Sequence, residues 1–183
     1  MENSYFFIGR STQANQEAFE TDSAIERFME ALSRSFQVHQ LKLVAWACCA
    51  SRVEFLVYGN YANLNKSLSR LFANHEKKQR RSQLWAKHQD CLSLSLNLLR
   101  YVCFIEHLPV RMYFAQSAQS YTWSSIHYHL GLRSPLFEDD SEAYLTLGST
   151  HACRAKAYGE FLKHHSAQLI DVELCLNKMS NAL

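Results

Sequence analysis

Three sets of residues in this chain have types and spacings that chemistry could use. The first is His127-Tyr128-His129. On a strand, a His-x-His places both imidazoles on one face, within reach of one metal ion. The chain beyond Trp123 reads as helix, however, where residues i and i+2 diverge by about 200° and cannot share an ion. The second set is six cysteines, at 48, 49, 91, 103, 153 and 175, with no Cys-x-x-Cys pair. Four lie in apolar stretches, so they read as reduced core residues rather than a zinc site or disulfides. His88, His107, His164 and His165 read as surface or capping histidines. The third set is cationic. Between residues 63 and 90 stand Lys66, Arg70, Lys77, Lys78, Arg80, Arg81 and Lys87 against Glu76 and Asp90. A polyanion contact needs such a concentration, because each neutralised phosphate releases counterions; a solvated helix face is the bland alternative.

The elements that must position these residues follow from pattern. Residues 4–9 read as a short strand ending at Gly9. Asp22 stands at an N-cap position, and Ile25, Phe28, Met29, Leu32 and Phe36 recur at helical spacing, giving a helix over 23–37. Residues 41–49 form an apolar strand and 52–58 a second one, joined tightly through Ala50-Ser51. On the second strand, Val53, Phe55 and Val57 face one way and Arg52, Glu54, Leu56 and Tyr58 the other. Asn63 caps a helix carrying Leu64, Leu68, Leu71 and Phe72. Residues 84–92 read as strand, and the chain switches near 93–95 to a buried helix ending before Pro109. An exposed acidic loop spans 134–141, and the last 30 residues, with Leu169, Val172 and Leu176, read as one or two helices. The order is that of an α+β fold, a ferredoxin-like antiparallel sheet with helices packed on it, plus a helical C-terminal extension. The boundaries implied are a core over 1–115 and the extension over 116–183.

Composition excludes other classes. With 183 residues, 48% apolar and 20% charged, and only five Gly and two Pro, the chain is neither collagen-like nor disordered. No apolar run reaches the ~18 residues of a membrane span, and residues 1–4 lack a signal-peptide pattern. The expectation is a soluble, cytoplasmic protein with no membrane partner.

Phe104-Ile105-Glu106-His107-Leu108-Pro109-Val110-Arg111 and Tyr121-Thr122-Trp123-Ser124-Ser125, followed by Leu130-Gly131, then suggest a family. With strand 52–58 after a long apolar strand, and Leu147-Gly148, Arg154, Tyr158 and Phe161 beyond, the layout resembles the single-tyrosine HUH transposases of insertion sequences. It is most similar to their branch associated with repetitive extragenic palindromes (REP). The resemblance implies a metal-dependent single-strand DNA transesterification. Two strand histidines would hold Mg²⁺ or Mn²⁺, and a tyrosine would attack the phosphodiester.

At the positions so implied, this chain differs. Arg52 and Glu54 stand for the histidines, Phe104 for the tyrosine and Leu108 for an asparagine. Arginine has no lone pair for a metal. Its charge would repel a cation by ~4 kcal/mol per unit charge at 4 Å and an effective dielectric near 20. Arg52 and Glu54 are expected to compensate each other, and no catalytic set or metal site is expected to remain. Binding could survive, through Lys66, Arg70, Lys77, Lys78, Arg80, Arg81, Lys87 and Arg111 on phosphates. Tyr113, Tyr121 and Trp123 could stack on unpaired bases, against core packing as the plainer reading. The implied partners are single-stranded or hairpin DNA, a second copy, or an active relative in a mixed dimer. A protein-interaction role without DNA, and an active enzyme using Tyr101, stay open as alternatives.

Overall fold

A computed structural model describes residues 2–14, 16–87, 89–94 and 97–165. The expectations for His88, Cys175, Leu169, Val172 and Leu176 lie outside these residues. Strands β1 (Ser4–Ser11), β2 (Lys42–Cys49), β3 (Arg52–Gly59) and β4 (Asp90–Leu94) form one antiparallel sheet in the order β2-β3-β1-β4. Helix α1 (Asp22–Val38) joins β1 to β2, and α2 (Tyr61–Gln79) joins β3 to β4. This is the ferredoxin-like split βαβ arrangement expected from the element order.

Both faces of the sheet are covered, which is why β2 reads as an unbroken apolar run rather than an alternation. On one face α1 and α2 bury Phe28, Leu32, Leu68 and Phe72 against Phe6, Ile8, Trp46 and Phe55. On the other lie α3 (Leu98–Glu106), α4 (Leu108–Arg111), α5 (Ile126–His129), α6 (Glu142–Leu145) and α7 (His151–His165). There Val102, Phe104, Leu108, Tyr144 and Tyr158 pack against Phe7, Ala47 and Leu56. Among the described residues, no helix is long and apolar enough to cross a membrane.

Several boundaries differ from the sequence reading. Thr21, not Asp22, caps α1, its side chain accepting from the Ala24 N–H at 3.3 Å. Asn60, not Asn63, caps α2 through Ala62 N–H at 2.9 Å. β1 continues through Gly9 to Ser11. Residues 84–89 precede β4 rather than belonging to it, although Trp85 bridges to Thr12. The acidic segment is a loop with Ser134, Pro135, Leu136 and Asp139 exposed, as expected, but it is anchored to the core rather than solvated throughout. Glu138 is buried, accepting from Arg133 at 2.5 Å and from the Trp46 indole at 2.9 Å. Asp139 accepts from the Leu43 N–H, and Asp140 from Tyr128 and Arg154. Together with Ser125 and Trp123, whose backbone bonds Trp46 and Cys48, this segment covers the outer edge of β2.

Candidate functional site

The register of the sheet sets a row across its α3 face: Ala47 on β2, Glu54 on β3, Gly9 on β1 and Asp90 on β4. Gly9 supplies the gap in this row. A methyl there would collide with the Arg52 guanidinium and the Asp90 carboxylate. Arg52 therefore lies across β1, reaching Glu54 through Nε at 2.8 Å, Ser11 through Nη1 at 2.9 Å and Asp90 through Nη2 at 2.8 Å. Glu54 is fully buried, and its second oxygen accepts from Arg111, which also reaches the Phe104 carbonyl at 3.3 Å. The Arg111 guanidinium sits over the Phe104 ring, 3.6 Å from its centroid.

Arg52, Glu54 and Phe104 thus converge in one place, with Arg111 as the link between them. The compensation expected of Arg52 and Glu54 is present but incomplete, because Asp90 and Arg111 complete it. Two carboxylates face two guanidinia, a neutral set. Burial alone would lower the Arg52 pKa, but Glu54 and Asp90 hold it above its ordinary value. Leu108 is fully buried in the apolar layer below α3.

Other nucleophile types nearby are held protonated. Burial pushes the Cys49 thiol up to about 12. The Tyr121 phenol, raised chiefly by burial, donates to the Cys48 carbonyl at 2.9 Å. That bond occupies Tyr121 structurally, and the Trp123 indole is likewise bonded to Asp22 at 2.7 Å. Tyr113 alone of the three aromatics stands out from the surface, 96% exposed and with φ 60°. Tyr101 is half-buried with its ring 6.3 Å from that of Phe7.

His127-Tyr128-His129 lies on a helix, α5, and its two histidines part as the helical spacing requires. His127 bonds the Gln119 carbonyl, while His129 is buried and donates to Glu106 at 2.6 Å. Glu106 also accepts from Ser125 at 2.7 Å and Tyr158 at 2.6 Å. This network ties α3 to α5 and α7. A carboxylate closing the apolar run 102–105 was its one signal in the sequence. Among the described residues, no group of three or more His, Cys, Asp or Glu could hold a metal ion.

The basic residues fall into two places. Lys66, Arg70, Lys77 and Lys78 are exposed on α2, which packs on the sheet face opposite Glu54. Arg80 ends that helix in a left-handed conformation, Arg81 pairs with Glu20 at 2.6 Å, and Lys87 is exposed in the connection to β4. Arg111 does not join them. It is bound into the Glu54 cluster on the other face, a partner that spacing could not reveal.

No family model matches the chain, and no curated protein matches it by sequence. Solved structures do. The chain is similar to a REP-associated tyrosine transposase bound to a REP hairpin, with a TM-score of 0.63 and 10% identity, over 77% of this chain and 88% of that one. A provisionally assigned transposase from Deinococcus radiodurans R1 aligns with a TM-score of 0.41 and 17% identity, over 62% of this chain and 88% of that one. The chain therefore has an α+β fold of the kind found in the REP-associated tyrosine transposase.

Proposed function

We propose that this chain is a transposase-like protein that binds single-stranded or hairpin DNA and does not cut it. The observation that carries the reading is the occupation of Glu54: both of its oxygens are taken by guanidinia, from Arg52 and Arg111, beside an oxygen-free Phe104. A divalent ion would have to displace two cations to reach a single carboxylate, and one carboxylate is not a site. The neutral cluster also lacks the two units of charge with which such an ion polarises a phosphate. Tyr101 cannot stand in for Phe104, since three helical residues displace it by ~4.5 Å along the axis and about 60° around it. Positioning for attack tolerates about 1 Å.

The binding half of the reading rests on the fold likeness to a protein solved with a REP hairpin, and on the basic, exposed side of α2. Incubation with Mn²⁺ and palindromic single-stranded oligonucleotides tests both halves. The expected result is a mobility shift that weakens steeply with salt and no adduct surviving denaturation. A covalent adduct would overturn the first half; no shift at about 50 mM salt would overturn the second and favour a protein partner.

A further inference from the structure

Between α1 and α2, on the side away from the sheet, runs a groove of about 450 Å³. Phe28, Leu71 and His75 line it together with Arg27, Arg70 and Lys78, and among the described residues no carboxylate does. In a chain where 19 Lys and Arg nearly balance 17 Asp and Glu, three cations without an acid are a local excess. All three are exposed, and none is ion-paired among the described residues. His75 is only 8% exposed. Its Nδ1 accepts from the Trp85 indole at 3.3 Å, which leaves the ring proton on Nε2. That Nε2 is buried and has no partner among the described residues. Nearly sealed from solvent, the ring forms the floor of the groove, and the three cations around it are what a ligand would meet.

We propose that this groove takes the phosphate backbone of the bound DNA, with Arg27, Arg70 and Lys78 each neutralising one phosphate. The inference rests on the DNA-binding reading and adds to it a location. The nucleic acid lies against α1 and α2, on the far side of the sheet from Glu54. It also adds Arg27, which stands outside the basic stretch of residues 63–90.

Fluorescence anisotropy of the full chain with a labelled hairpin oligonucleotide, titrated against salt, tests it. Each lost phosphate contact lowers the slope of log K against log salt by about 0.9 on duplex and about 0.7 on single strands. The Arg27→Ala/Arg70→Ala/Lys78→Ala variant is expected to lose about 2–3 units of slope, and the double variant Arg27→Ala/Lys78→Ala about 1.5. Arg100→Ala, an exposed arginine on α3 across the sheet, is expected to leave the slope unchanged. Wild-type-like slope in the triple variant, with hairpin binding intact, overturns the groove and leaves the DNA reading standing. Absence of binding by the wild-type chain overturns both.

Discussion

The two faces of this sheet treat charge in opposite ways. On the α3 face, Arg52 and Arg111 are neutralised by Glu54 and Asp90, and each charge of this buried cluster has a partner within the protein. On the α1–α2 face, Arg27, Arg70 and Lys78 line a groove with no acid among them. Charges satisfied internally have little left for a ligand, whereas unpaired surface charges contribute little to the fold and much to polyanion binding. The first face is architecture, and the second carries the unpaired charge on which the proposed contact depends.

If that contrast holds, stability should be sensitive on one face and indifferent on the other. Glu54→Gln removes the anion shared by two guanidinia that are each about four-fifths covered. Loss of a buried partner costs about 3–5 kcal/mol, and about 3 is expected here because both arginines keep some solvent. Thermal melting should show a drop of roughly 6–12 °C. A shift of under about 2 °C would mean the cluster is ornament.

On the groove side the sensitivity should instead be to pH. Burial holds the His75 pKa down at about 4, against 6.5 unperturbed. Between those values the unfolded chain binds a proton that the folded chain refuses, so stability is intact above pH 6.5 and falls as pH drops toward 4. The loss is at most about 3 kcal/mol. Denaturant melts of His75→Phe against the wild-type chain across that window should show the slope removed; parallel slopes would sink the assignment.

Gly9→Ala tests the gap through which Arg52 passes. Overpacking of this kind costs about 1–3 kcal/mol, readable as a lower denaturant midpoint at unchanged slope. Smallest should be the effect of Lys66→Glu, at an exposed position on α2. It is expected to change stability by less than about 0.5 kcal/mol while weakening hairpin binding at low salt.

The sequence made some of this legible and hid the rest for physical reasons. The β2–β3 hairpin and the facing of Arg52 and Glu54 followed from period-two alternation, which is local. The helical nature of His127–His129, and hence their separation, followed from period 3.6. Gly9 misled because a glycine in an apolar run reads as a terminus. The reason for it, an arginine crossing from a neighbouring strand, lies over 40 residues away in sequence. The acids at 138–140 misled in part: the stretch 134–147 holds no base and looks solvated throughout, although Glu138 is buried against Arg133 just before it. Their partners, Trp46, Leu43, Tyr128 and Arg154, are supplied mostly by distant elements. Two adjacent cap-competent residues, Thr21 and Asp22, cannot be ranked without backbone angles.

The crossing of Arg52 over Gly9 makes neighbouring positions depend on one another. A histidine at position 52 alone would cost Asp90 its bond to Arg52 and leave Glu54 with one cation, while a tyrosine at 104 alone would meet an arginine lying on its ring. Each single step toward a metal-binding centre thus breaks contacts that the other residues still require. The cluster is mutually locked: no member can be exchanged without uncoupling the others, so remodelling it would demand several coordinated changes at once.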